Sequence, residues 1–91
     1  MQHVNSKKAK KIIKVLASIL KEERIKQNKS QRLLADEFDI PKSMLSRLEN
    51  GVNEPKLVSL ISVCEALNIK LSKLIEELEK RLEEDFSLLD K

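Results

Sequence analysis

Ninety-one residues bound the chain to one domain, near the lower size at which a single apolar core holds without disulfides or metal. Hydrophobic residues are 41% and charged residues 36%, the balance of amphipathic helices, which excludes a disordered chain; aromatic content of 2%, with no Trp or Tyr, removes the stacking platforms of single-strand and many RNA binders. The net charge of +3 hides an asymmetry, because residues 1–30 carry +7, residues 31–70 carry −1 and residues 71–91 carry −3, so the basic charge gathers at one end, where it suits a polyanion or a solvated face.

Asn5 or Ser6 can cap a first helix, in which Ile12, Ile13, Leu16, Ile19 and Leu20, with Ile25 at the far end, recur at three and four residues. The spacing predicts helix from Lys7 to Gln27. Lys7, Lys8, Lys10 and Lys11 crowd its first turn and a half, where the helix dipole disfavours cations, and this calls for DNA phosphate or plain solvation as compensation. Lys14, Lys21, Glu22 and Glu23 interrupt the apolar residues, unlike a secretory signal, and no apolar run reaches the roughly eighteen residues of a membrane span. A cytoplasmic protein is expected. His3 falls in a terminus and takes no role.

Ser30 is a good cap for a second helix, although Leu33 stands where a capping box would place Glu. Leu34, Ala35 and Phe38 line one face. Asp39 is a poor interior helix residue and Pro41 pushes Ile40 toward extended backbone, so this helix must stop near Phe38. Ala35 offers only a methyl group, which lets the next helix cross closely while Ile40 pins the bend into the core. The third helix starts at Pro41, buries Leu45 and Leu48, and ends at Asn50 and Gly51, which tolerate positive φ. Residues 31–50 thus spell a helix-turn-helix.

After Val52, Pro55 marks the start of a fourth helix with Leu57, Leu60, Ile61, Cys64 and Leu67 on one face, and Asn68 as a left-handed cap. Cys64 lacks a second cysteine or a histidine at metal spacing, so it reads as a small core residue; no metal or cofactor is expected. Ser72 can cap a fifth helix over about 72–89, in which Leu74, Ile75, Leu78, Leu82, Phe86 and Leu89 keep the helical period. Glu76, Glu77, Glu83 and Glu84 fall on its solvated face. Leu82, Phe86 and Leu89 overhang a compact domain, and each such side chain left wet forfeits about 1.5 to 3 kcal/mol. The extended N-terminal helix or a second protomer could cover them; a homodimer is expected.

Ser30-Gln31, Leu34-Ala35, Phe38, Ile40, Leu45-Ser46-Arg47, Leu48-Glu49-Asn50-Gly51, Pro55 and Ala66-Leu67-Asn68-Ile69 before Leu74 resemble the Cro and lambda-repressor type of helix-turn-helix domain, the XRE family. The resemblance covers about Leu20 to Leu78. It implies an all-α, five-helix lambda-repressor-like DNA-binding domain, here with extended N-terminal and C-terminal helices. It assigns base reading to Lys42, Ser43 and Arg47, with Met44 against a thymine methyl. It matches Gln31 and Asn50 to phosphate-contacting positions and Arg24 and Glu49 to an internal salt bridge; Ser46 on the outward face of the third helix, with Asn53 and Lys56 in the loop that follows, are added as further phosphate contacts. The chain departs from the family at Pro41, where Ser or Thr is the usual cap, and at Asp39, where glycine is usual.

Chemistry supports the base readers independently, since Arg47 can donate two hydrogen bonds to guanine O6 and N7, and Lys42 can reach the same edge or a phosphate. A two-turn helix carries only three or four such side chains, which specifies too little sequence alone. Two copies about 34 Å apart meet successive major grooves, hence a palindromic double-stranded DNA operator. No Ser-His-Asp set, glycine-rich phosphate loop or pocketed carboxylate pair supports an enzyme. The function expected is transcriptional regulation, most simply repression. Two alternatives stand beside it: an antitoxin or adaptor that binds a protein partner through the C-terminal helix, and nonspecific DNA condensation by the N-terminal lysines.

Overall fold

Five helices follow one another in the computed structural model, which describes residues 6–83 and 86–89: α1 Lys7–Lys26, α2 Gln31–Phe38, α3 Lys42–Asn50, α4 Leu57–Ala66 and α5 Leu71–Arg81. His3, Asn5 and Glu84, considered above, lie outside the described residues. Among those described there is no strand, and no helix is long and apolar enough to cross a membrane. The fold is all-α.

The twenty-residue α1 is the strut on which the others assemble. It starts where the Ser6 hydroxyl accepts the Ala9 amide at 3.0 Å, and it packs against both α3 and α5, while α2 packs on α3 and α4 on α5. Leu20 of α1, Leu34 of α2, Leu45 of α3, Val63 and Cys64 of α4 and Leu74 of α5 are fully buried together, so every helix contributes to one core. Burying each of these leucines is worth about 1.5 to 3 kcal/mol.

Backbone chemistry sets the bends. Asp39 is left-handed at φ 55°, and its N–H, like that of Ile40 at 2.9 Å, returns to the Ala35 carbonyl. That conformation costs a non-glycine residue about 1 kcal/mol. Pro41 then caps α3 without a side-chain hydrogen bond; its carbonyl accepts the Leu45 amide at 3.2 Å. Asn68 ends α4 at φ 57°, and the Ile69 N–H reaches back to the Cys64 carbonyl at 2.9 Å. These are the left-handed helix endings that Asn and Asp accept most readily.

Four expectations require correction. Phe38 is 47% exposed, because α2 ends directly after it, beyond the cover of α3, and its ring instead lies beneath Lys29, 5.6 Å from the ammonium. Leu57 is 63% exposed as the first residue of α4; Val63, one turn short of the helix end, is buried in the core. Ser72 does not cap α5, which begins a residue earlier with Lys70 as an extended cap lacking a side-chain bond. Finally, α5 stops at Arg81, and Leu82 is extended at ψ 150°.

Beyond that stop the chain runs on along α1 toward its N-terminal end. Arg81 donates to Glu22 at 2.7 and 2.9 Å, Leu82 packs on the core, Glu83 pairs with Lys11 at 3.6 Å, and the Lys11 ammonium stands 5.6 Å from the Phe86 ring. Leu82 and Phe86 are therefore half-buried within their own chain, whereas Leu89 is exposed.

Candidate nucleic-acid interface

The outer face of α3 follows from its inner one. Leu45 and Leu48, three residues apart, are buried, and Glu49 beside them is buried as well. Helical geometry then turns Lys42, Ser43 and Arg47 outward, and all three are exposed. No described residue forms an ion pair with Lys42 or Arg47. Met44 is half-buried and packs partly against the core, so it presents less surface than its neighbours.

A shallow concave surface gathers the two groups of sequence candidates. Ser43, Met44 and Arg47 from α3 share it with Asn53 and Lys56 from the loop before α4. Glu54 lines the same surface and is the one carboxylate there. Asn50 sits at the end of α3, its amide donating to the Ser46 hydroxyl at 3.4 Å, which joins those two candidates on an exposed edge.

Gln31 opens α2, where the first amides of a helix are unpaired and the dipole favours an anion. The Ser30 hydroxyl takes the Leu33 amide at 3.0 Å. The Gln31 side chain is fixed from behind, its Nε2 donating to Glu49 Oε1 at 3.0 Å. Glu49 in turn accepts from Arg24 Nε at 2.7 Å and from Arg24 Nη2 at 2.8 Å, while Arg24 Nη1 donates to the Lys29 carbonyl at 2.7 Å. Hydrogen bonding to Glu49 raises the Arg24 pKa above its ordinary value against the opposing effect of burial. One buried ion pair thus ties the end of α1, the start of α2 and the end of α3.

Sequence reasoning missed how α1 meets this surface. Lys10, Ile13 and Lys14 line a second concavity with Asn50, Gly51, Val52, Asn53 and Glu54. The signal lay in Gly51, read only as a helix terminator. Its φ is 62°, but a Cβ there would also stand 3.3 Å from the Lys14 Cα, so α1 lies directly against it. Among the described residues no cluster of His, Cys, Asp or Glu could hold a metal ion.

A crystal structure of a point mutant of the restriction-modification controller protein C.Esp1396I matches this fold with a TM-score of 0.70, covering 82% of this chain and 95% of that one at 17% identity. The clp gene regulator ClgR from C. glutamicum matches with a TM-score of 0.69, covering 81% of this chain and 96% of the other at 26% identity. No curated protein matches the sequence. The helix-turn-helix family matches residues 20–74, more than half of the 91, and includes the whole bend and its Arg24–Glu49 brace. The chain therefore belongs to the XRE-type helix-turn-helix family, and it is a DNA-binding transcriptional regulator rather than an enzyme.

Proposed function

We propose that this regulator is a homodimeric repressor that lays α3 in the major groove of a palindromic operator. The observation that carries the reading is the exposure of Arg47, Lys42 and Ser43 on one face of α3 while Leu45 and Leu48 anchor the opposite face. Arg47 reads guanine through O6 and N7, Lys42 and Ser43 contact neighbouring edges, and Met44 touches a thymine methyl from its half-buried position. Gln31, Ser46, Asn50, Asn53 and Lys56 hold the flanking phosphates and set the register, which carries no sequence information itself.

A nine-residue α3 needs a second copy to specify a site. In that dimer Leu89 makes the two-fold contact from its exposed position, while Leu82 packs on the core and the Phe86 ring lies by Lys11 of α1. The reading places the protein in the cytoplasm with its DNA. Selection of bound duplexes from a random library tests it. A recovered inverted repeat with half-sites about one helical turn apart is expected, and enrichment of no sequence would reject it.

A further inference from the structure

The concavity between α1 and the loop after α3 belongs neither to the base-reading face nor to the core, and its chemistry is specific. Lys7, Lys10 and Lys14 recur at three, four and seven residues, which puts them along one side of α1. Lys11 faces elsewhere and is occupied by Glu83 and the Phe86 ring. Lys10 and Lys14 are exposed, and neither forms an ion pair with a described residue. The first turn of α1 also holds no acidic residue to balance the positive end of its dipole.

Gly51 brings this stripe to the loop. Any side chain there would press on the α1 backbone at Lys14, so the absent Cβ lets Lys10 and Lys14 emerge beside Asn50 and Asn53. Asn53 and Glu54 line both this concavity and the one that contains Arg47 and Ser43, so the two surfaces are continuous around the loop. Two lysines and one carboxylate, that of Glu54, line this concavity together with the side-chain amides of Asn50 and Asn53.

We infer that Lys10 and Lys14, together with Asn50 and Asn53, form a second phosphate-binding edge that grips the DNA backbone beside the half-site read by α3. The inference rests on the proposed function, because continuity with the α3 surface is what selects a duplex as the anion. It gives the overhanging first half of α1 a role: it lengthens the footprint without adding base contacts. The edge is sequence-blind, since it offers only ammonium and amide groups to phosphate oxygens.

The test compares wild type, the double variant Lys10→Gln/Lys14→Gln and a charge-matched control, Lys73→Gln/Lys80→Gln on α5. Dissociation constants are measured between about 50 and 200 mM salt on a library-selected duplex and on a scrambled duplex of equal composition. Each lost phosphate contact flattens the log–log salt slope by about 0.9, so over this range wild type should lose about tenfold more affinity per bound protomer than the α1 variant. The control should keep the wild-type slope, and the selected-to-scrambled ratio should be the same in all three proteins. An unchanged slope in the α1 variant, or an equal flattening in the control, overturns the inference. So does a collapsed ratio, which would make the lysines base readers. Wild type that fails to prefer the selected duplex would sink the α3 reading, while the slopes on either duplex still decide this one.

Discussion

Arg24 and Glu49 lie twenty-five residues apart and meet through two parallel hydrogen bonds of 2.7 and 2.8 Å, with the Glu49 side chain only 2% exposed. The pair locks the end of α1 to the end of α3, and so fixes the angle at which α3 stands out from the core. Removing one partner of a buried pair leaves the other charge dry and uncompensated. Glu49→Ala should therefore cost about 3 to 5 kcal/mol, read as a lower urea midpoint. A midpoint near wild type would mean that the pair does not hold the helices.

Leu45 and Phe38 separate the core from the surface of the same motif. Leu45 is 0% exposed and Phe38 is 47% exposed. Leu45→Ala should cost about 2 to 5 kcal/mol through the cavity it leaves, whereas Phe38→Ala should fall well below it in the same denaturation assay. The reverse order would place the core on the wrong side of α2.

Why one residue was legible and the other was not is physical. Leu34, Ala35 and Phe38 fit one helical face equally well in the sequence, but periodicity does not say how far the next helix reaches. Asp39 turns the chain immediately after Phe38, and the ring is left outside. The stop of α5 was hidden for a related reason. No Gly or Pro marks it, and Leu82, Phe86 and Leu89 continue the helical period; the segment leaves the helix where Glu83 and Phe86 find Lys11 of α1. By contrast, the endings at Gly51 and Asn68 were legible because few residue types tolerate positive φ, and the one after Phe38 because Asp39 is a poor helix residue and Pro41 pushes Ile40 to extended backbone. The outward face of α3 was legible through Leu45 and Leu48. The approach of α1 to Gly51 was not, since it depends on a contact between segments distant in sequence.

The pair between α5 and α1 should show itself in acid. Hydrogen bonds from Arg81 hold the Glu22 carboxyl below its ordinary 4.5. A carboxylate with a lowered folded pKa contributes stability above its unfolded pKa and loses it as pH falls through the folded value. Glu22→Gln should thus melt below wild type at neutral pH, and the two curves should converge once the carboxylates are protonated. A gap that persists in acid would assign the difference to packing.

Leu89 carries the proposed two-fold contact at 50% exposure. Leu89→Glu should shift sedimentation from dimer to monomer while the thermal midpoint of the monomer unit holds. An unchanged mass would move the dimer contact elsewhere on the surface.

Arg47 offers the most direct measurement. Affinities of wild type and Arg47→Ala are compared on a library-selected duplex, on its single-base variants and on scrambled DNA. Arg47→Ala should lose about 1 to 3 kcal/mol on the selected duplex, relax the preference at one base pair per half-site, and change little on scrambled DNA. An equal loss on every duplex would make Arg47 a phosphate contact and would contradict the reading of α3 as the base-recognising helix.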